Sequence, residues 1–243
     1  MSHNDLKGQV AIVTGASRGI GKAIALAFAQ EGVSLILAAR SADDLRQAQA
    51  EIETLGGQAW VAPGDVSREE DARAIVRVAA DAGRLDILVN CAGVGVFGPL
   101  ASTSVADWDR AMAVNVRGPF LMCREALPLM AQNKAGCIIN IASVVGVKGY
   151  SNQGAYTASK HALMGLTKVL AQEAQPLGVR VHVVCPGGVD TEMAAQARPD
   201  LDRSILIRPE EIADLVLLLV KQRGLAIVDQ INVRRSSSAP WFD

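Results

Sequence analysis

The chain has 243 residues, 50% of them hydrophobic and 20% charged, with 24 Lys and Arg against 25 Asp and Glu. This size suits one large α/β domain with a sizeable core, and the balanced charge offers neither the basic surface that binds nucleic acid nor a polybasic membrane patch. The first residues lack the pattern of a signal peptide and the apolar run at 215–220 is too short to span a bilayer, so we expect a cytoplasmic protein with no nucleic-acid or membrane partner.

Short β-rich runs alternate with longer amphipathic stretches along the chain. Strands are predicted at residues 9–13, 33–39, 58–62, 85–89, 137–141, 179–184 and 227–233. Helices are predicted at 19–30, 43–55, 104–130 and 155–174, with two more that begin at 67 and 209. Ser67 and Glu70 have the spacing of a capping box, and Pro209 suits the first position of a helix.

The character of the strands indicates how they pair. Several are continuous apolar runs, which is typical of parallel strands covered on both faces. The alternation of strand and helix therefore predicts a Rossmann-like, doubly wound parallel sheet of about seven strands with helices on both faces. We find no repeat or break in composition, so we expect a single domain over 1–243 with a loose tail from about 236.

A glycine-rich segment, Thr14-Gly-Ala-Ser-Arg-Gly-Ile-Gly21, lies between the first strand and the first helix. Glycines let a backbone turn tightly and approach a bulky anion, and a helix start offers free N–H groups to a pyrophosphate. The spacing is G-x-x-x-G-x-G and not G-x-G-x-x-G. A tight strand-to-helix connection is the alternative, but the position favours a dinucleotide site.

The end of the second strand, Ala38-Ala39-Arg40, lacks the acidic residue that would accept hydrogen bonds from the ribose of NAD. An arginine can bind a 2′-phosphate with paired donors, and Arg18 supplies a second positive charge. We therefore expect NADP as the cofactor, with NAD the less favoured choice. The alternative is that Arg40 is an ordinary solvated loop residue.

Tyr156 and Lys160 lie four residues apart in a predicted helix, so their side chains project from one face. A nearby ammonium favours the phenolate and lowers the pKa of a tyrosine, which suits proton transfer to or from an alcohol oxygen. Ser143 follows the fifth strand, where ligands of open α/β sheets collect. Each signal alone has a structural alternative: a chance helical pair for the first and a turn serine for the second.

Taken together, these motifs resemble the short-chain dehydrogenase/reductase family from about residue 6 to 233, and most of all its 3-oxoacyl-(acyl carrier protein) reductase branch. The matching segments are Thr14–Gly21, Asp65-Val66, Asn90-Cys-Ala-Gly93, Asn115-Val-Arg-Gly118, Ser143, Tyr156 with Lys160, and Pro186-Gly187.

The resemblance implies a role for each matching residue. Tyr156 would be the general acid in reduction and the base in oxidation, Lys160 would lower its pKa and bind the nicotinamide ribose, and Ser143 would orient the carbonyl. Asn115 would interrupt its helix and support a water chain that returns the proton. Cofactor contacts are implied for Gly15, Ser17, Arg18, Gly19, Ile20, Gly21, Arg40, Asp65, Val66, Asn90, Ala92, Gly93, Tyr156, Lys160, Pro186, Gly187, Val189 and Thr191.

The resemblance further implies a homotetramer that acts on a small carbonyl or alcohol substrate. The chain departs from the branch in Cys91, which replaces a second asparagine, and in the segment 228–243, which lacks the usual Val-Asp-Gly-Gly ending. The second departure leaves the substrate open. The alternatives are an NAD(H)-dependent alcohol, sugar or steroid dehydrogenase and a catalytically silent NADP-binding regulator. The four cysteines have no metal-binding spacing, and we expect reduced, structural thiols and no metal.

Overall fold

The computed structural model describes residues 6–197, 200 and 202–240, which fold around a parallel sheet of seven strands. The strands are β1 (Val10–Thr14), β2 (Ser34–Ala39), β3 (Ala59–Pro63), β4 (Ile87–Asn90), β5 (Gly136–Ile141), β6 (Val179–Pro186) and β7 (Gln230–Val233). Their order is β3-β2-β1-β4-β5-β6-β7, and every neighbouring pair is parallel. The predicted doubly wound sheet is confirmed.

Helices cover both faces of this sheet. The α-helices of the described residues are α1 (Gly19–Gln30), α2 (Ala42–Thr54), α3 (Glu69–Asp81), α4 (Val105–Met112), α5 (Gly118–Gln132), α6 (Gly154–Ala174), α7 (Glu192–Ala197) and α8 (Pro209–Lys221). Buried residues of α1, α2 and α8 pack on one face, and those of α3, α5 and α6 pack on the other. None of the helices that the structure describes is long and apolar enough to cross a membrane.

The central strand β1 shows why its sequence is apolar throughout. Successive side chains of a strand point to opposite faces, so Ala11 and Val13 join one core cluster while Val10 and Ile12 join the other. All five residues of β1 are buried. Burial of one such Val or Ile side chain stabilises the fold by roughly 1.5–3 kcal/mol. This rigid centre fixes the carboxyl ends of the strands, where the site lies.

Three predicted elements differ from the structure. Helix α3 begins at Glu69, and the capping box at Ser67 is wrong because the Ser67 hydroxyl instead donates to Asp65 Oδ1 at 2.7 Å. The helical region predicted at 104–130 is not continuous, because a π-helical turn at Ala113–Arg117 contains Asn115, the residue at which the resemblance implies an interruption. The last strand is shorter than expected and begins at Gln230.

The segment after β7, where a loose tail is expected, forms a hydrogen-bonded turn over the residues that the structure describes. Nη1 of Arg234 donates to the carbonyl oxygens of Arg235, Ser236 and Ser238, at 3.2, 3.4 and 2.8 Å. The N–H of Ser238 donates to the carbonyl of Arg235 at 3.0 Å. The turn lies at the carboxyl edge of the sheet, beside the site described next.

Candidate active site

The glycine-rich turn joins β1 to α1 and leaves room for a large anion. Gly15 has a φ of +69°, and a Cβ there would lie 3.0 Å from the backbone of Ala92. A Cβ on Gly21 would lie 2.2 Å from the carbonyl oxygen of Gly15, so only glycine allows the helix to start this close to the turn. No side chain caps α1, and its first turn contains no acidic residue. The free N–H groups and the positive helix end are therefore open to a diphosphate.

The residues expected at the adenosine end lie together beyond β2 and β3. Arg40 is exposed, and Asp65 is half-buried nearby. Burial alone would raise the pKa of Asp65, but hydrogen bonds from Ser67 and the charges of Arg40 and Arg68 outweigh it and hold that pKa below its usual value. The electrostatic contribution of Arg40 shows that the guanidinium and the carboxylate face the same region.

Helix α7 lies over the start of α1. A Cβ on Gly19 would be 3.2 Å from Cγ2 of Thr191, which brings that predicted residue to the glycine-rich turn. The next residue, Glu192, pairs with Arg18 through Oε2 and Nη1 at 2.6 Å, and the two side chains are 66% and 65% exposed. Sequence motifs do not indicate this ion pair. An ion pair so exposed contributes about 0–1 kcal/mol, so a phosphate can compete for Arg18.

The loop after β4 is held against β1 by a single hydroxyl. Oγ1 of Thr14 accepts hydrogen bonds from the N–H groups of Cys91 and Ala92 at 3.0 and 3.1 Å. The side chain of Asn90 turns the other way, into the core, where Nδ2 donates to Oδ1 of Asn140 at 2.9 Å. The Oδ1 of Asn90 is buried and has no hydrogen-bond partner among the residues that the structure describes, and the cofactor contact expected of Asn90 stays a prediction.

Ser143 and Tyr156 form the centre of the site, and both side chains line the same cavity. Oγ of Ser143 lies at the end of β5 and also contacts the carbonyl of Pro186 at 3.4 Å. The Tyr156 side chain borders the cavity, yet protein atoms crowd it, and this burial raises its pKa to about 12 although the nearby Ser143 side chain lowers it.

Lys160 is 5% exposed and lies beside this pair. Its Nζ donates to the carbonyl of Ile141 at 2.9 Å and is 5.8 Å from the centroid of the Tyr156 ring. Burial lowers the pKa of Lys160 to about 8. Burial dominates the Tyr156 pKa, and the lowering expected from the Lys160 ammonium stays a prediction.

Asn115 connects the loop after β4 with the helix that carries Tyr156. It is fully buried within the π-helical turn, with Oδ1 accepting from the N–H of Val94 at 2.8 Å. Its Nδ2 donates to the Val94 carbonyl and to Oγ of Ser159, both at 2.9 Å, and Ser159 donates to the Tyr156 carbonyl at 2.7 Å. No role was predicted for Ser159, although its position three residues after Tyr156 on one helix indicates that the two residues are neighbours.

A cavity of about 280 Å³ opens in front of the Ser143 and Tyr156 hydroxyls. Its wall includes the predicted cofactor residues Ile20, Pro186, Gly187, Val189 and Thr191. The Phe97 ring packs edge-on against Tyr156 with centroids 5.7 Å apart. The wall also includes residues that the sequence analysis did not indicate, among them Phe97, Tyr150, Gln153, Met193, Leu206 and Arg235. A mostly apolar wall with a few polar groups is typical of small-molecule sites.

The four cysteines are free thiols. Cys91 is beside Lys160, but burial outweighs that positive charge and raises the pKa of the thiol to about 12. Burial likewise raises the pKa values of Cys123, Cys137 and Cys185 to between about 11 and 12. Thiols with such pKa values are poor nucleophiles. Across the described part of the chain, no three His, Cys, Asp or Glu side chains are grouped so as to hold a metal ion.

Comparison with known proteins gives consistent matches. A family model described as short chain dehydrogenase matches residues 9–202. A 3-oxoacyl-[acyl-carrier-protein] reductase of Thermotoga maritima is 34% identical over 235 residues, covering 93% of this chain and 96% of that protein. An uncharacterised oxidoreductase of Bacillus subtilis is 36% identical over 228 residues, covering 93% and 89%.

Solved structures agree with the sequence matches. A metagenomic short-chain oxidoreductase in complex with NADP superimposes with a TM-score of 0.84 at 39% identity, covering 96% of this chain and all of that one. An alcohol dehydrogenase from the archaeon Thermococcus sibiricus complexed with 5-hydroxy-NADP gives a TM-score of 0.88 at 30% identity, covering 96% and 99%. The chain belongs to the short-chain dehydrogenase family and is an oxidoreductase of that family.

Proposed function

We propose that the protein is an NADP(H)-dependent oxidoreductase that interconverts a ketone and a secondary alcohol, with Tyr156 as the proton donor and acceptor. The observation that carries the proposal is that the Ser143 and Tyr156 side chains line one cavity next to the buried Lys160. A carbonyl oxygen placed between two hydroxyls is polarised by both and can take a proton from one of them.

The residues around the glycine-rich turn fit a dinucleotide. The cradle at Gly15 and Gly21, which a Cβ would fill, and the uncapped start of α1 would hold the diphosphate. Arg40 and Asp65 would hold the adenosine end, and the wall from Pro186 to Thr191 would hold the nicotinamide end. When bound, the nicotinamide supplies or accepts the hydride.

The protein's own groups would handle the proton. Ser143 would orient the carbonyl oxygen, and Tyr156 would donate its hydroxyl proton to that oxygen in reduction and take it back in oxidation. A phenol with a pKa of about 12 is a weak acid and stays protonated at neutral pH, so any positive charge brought near it favours proton release. Asn115 would act as a positioning residue, because it ties the Val94 loop to Ser159.

NADP is favoured over NAD by the exposed Arg40 and by the absence of an acid at Ala39. The NADP ligands of two structural neighbours support the same choice. Titration of the protein with NADPH and with NADH is the direct test. We expect NADPH to bind at least tenfold more tightly, which is about 1.4 kcal/mol. Equal affinities would favour the alternative, an NAD(H)-dependent alcohol, sugar or steroid dehydrogenase.

Tyr156→Phe tests the catalytic assignment and separates an enzyme from a silent NADP-binding regulator. The change removes the transferable proton and keeps the ring, so turnover on a panel of ketones should fall by about 10²–10⁴ while NADPH affinity changes little. A panel that includes 3-oxoacyl thioesters tests the substrate suggested by the Thermotoga relative. A variant that keeps half of the wild-type rate would remove Tyr156 from the mechanism.

We also propose a homotetramer. One apolar groove, lined in part by Met112, Val116, Phe120 and Leu166, lies between α4, α5 and α6. A second exposed apolar region lies beside the edge strand β7, at Leu218, Leu225, Ile227 and Val228. Two self-complementary surfaces are what a tetramer with two-fold axes requires. Sedimentation that shows only monomer at micromolar concentration would refute this assembly.

A further inference from the structure

Two arginines follow β7 directly and lie at the edge of the cavity. Val233 pairs with Pro186 in the sheet, and its carbonyl accepts the N–H of Gly187 at 2.7 Å. The carbonyl of Pro186 in turn contacts the Ser143 hydroxyl at 3.4 Å. Strand β6 therefore lies between residues 234 and 235, which follow β7, and Ser143, which follows β5. Both arginines line the same cavity as Ser143 and Tyr156.

The two arginines have different surroundings. Arg234 donates to three carbonyl oxygens of the following turn, so its guanidinium holds the local backbone. Arg235 turns inward, where its Cδ would be 3.4 Å and its Nε 3.7 Å from a Cβ on Gly188. Its Nη1 is buried and has no hydrogen-bond partner among the residues that the structure describes. A buried donor without a partner is costly and calls for an explanation.

Within the part of the chain that the structure describes, the cavity gives this guanidinium no negative partner. The described lining residues include no Asp or Glu, and their polar side chains, apart from the two arginines, are hydroxyls of Ser, Thr and Tyr and the amide of Gln153. A guanidinium on a wall that carries no carboxylate among its described residues attracts an anion. Its planar set of donors matches the two oxygens of a carboxylate.

We propose that Arg235 binds the carboxylate of a small oxo acid whose carbonyl lies between Ser143 and Tyr156. This inference rests on the proposed function and names its substrate class: oxo acids and the corresponding hydroxy acids. Arg235 is then a specificity-determining residue that sets which end of the substrate faces Tyr156. A phosphate group shares the same chemistry, but a cavity of about 280 Å³ favours the smaller anion.

A binding experiment with non-reacting probes tests the anion site independently of turnover. The probes are butyrate, butyramide and propylphosphonate, titrated calorimetrically into the full chain without cofactor and with NADP⁺. Butyrate should bind at least tenfold more tightly than butyramide, and Arg235→Leu should abolish this preference. Arg77→Leu, which removes an exposed arginine of α3 far from the cavity, is the matched control and should keep it. Tighter binding of the phosphonate than of butyrate would overturn the assignment to a carboxylate.

Kinetics on matched substrates complete the test. With NADPH, kcat/KM for 3-oxobutanoate and 4-oxopentanoate should exceed that for their methyl esters at least tenfold. Arg235→Leu should lower kcat/KM for the acids by at least thirtyfold and that for the esters by less than threefold, whereas Arg235→Lys should keep part of the preference. Equal loss on acids and esters, or a wild-type preference for esters, would overturn the proposal.

The two hypotheses fail in different ways. If the esters are reduced but kcat/KM is not higher for the acids, the result supports the oxidoreductase function and contradicts the proposed role of Arg235. If no ketone in the panel is reduced but butyrate binding depends on Arg235, the result supports the anion site and contradicts both the proposed reaction and the oxo-acid substrate class.

Discussion

Lys160→Met should make the protein more stable at neutral pH, because the wild-type ammonium is buried at a cost to folding. Burial lowers the pKa of Lys160 from its ordinary value of 10.5 to about 8. Since one pH decade is about 1.4 kcal/mol for a single proton, keeping this ammonium buried costs on the order of 3 kcal/mol below pH 8. The lost hydrogen bond from Nζ to the Ile141 carbonyl offsets about 1 kcal/mol.

The pH dependence gives this prediction its sharpest form. Between pH 8 and 10.5 the unfolded wild-type chain still holds the lysine proton and the folded chain has released it, so the stability of the wild type rises with pH over that interval. Methionine does not titrate. The gain from Lys160→Met should therefore be about 2 kcal/mol at pH 6 to 7.5 and should shrink towards zero or reverse by pH 10.5.

The assay is guanidinium unfolding of wild type and variant at equal protein concentration, without cofactor, from pH 6 to 10.5. Lys168→Met, which changes an exposed lysine two turns further along α6, is the matched control and should show no such pH trend. Added NADPH should stabilise the wild type more than Lys160→Met, since Lys160 is proposed to bind the ribose. A variant less stable than the wild type at pH 7, or a difference that stays constant with pH, would refute this account of the buried charge.

Two further substitutions test the cofactor site. Arg40→Asp should weaken the binding of NADPH at least tenfold and leave the binding of NADH unchanged, and the wild-type preference for NADPH should shrink as salt rises because the adenosine end is exposed. Arg77→Asp is the control for the change in net charge. Equal loss of affinity for both cofactors in a fluorescence titration would contradict the role of Arg40. Gly21→Ala places a Cβ 2.2 Å from the Gly15 carbonyl oxygen, so NADPH affinity should fall more than tenfold, whereas Gly224→Ala, with no atom within 4 Å, should keep it.

The sequence predicts the sheet and the central motifs because their signals are local. Apolar runs identify the strands, and Tyr156 and Lys160 share a helix face by their spacing alone. The interruption at Asn115 is different, because its amide is held by Val94 and Ser159, which are 21 and 44 residues away. The preference for a continuous helix from 104 to 130 yields to these buried hydrogen bonds, which no local window of sequence shows.

The same reason explains the residues that the sequence left unassigned. Glu192 reaches Arg18 only because the segment after β6 lies over α1. Arg235 stands in a stretch that departs from the family pattern, and nothing near it in sequence indicates that its guanidinium lies in the cavity of Ser143 and Tyr156. Burial of an atom is a property of the assembled fold, and an unusual sequence ending shows only that something differs.

The positively charged groups around the site differ most in their solvent exposure. Arg40 and Arg18 are exposed, so each contributes modest, salt-sensitive attraction, and Glu192 can pair with Arg18 without blocking a phosphate. Lys160 is 5% exposed and one nitrogen of Arg235 is buried without a described partner. These two carry larger desolvation costs, which only a ligand with matching charge or hydrogen-bond acceptors can offset. Affinity for the cofactor's phosphates can therefore be tuned at the surface with little effect on folding, whereas the substrate preference proposed for Arg235 would depend on a group that makes the folded chain less stable until a ligand binds.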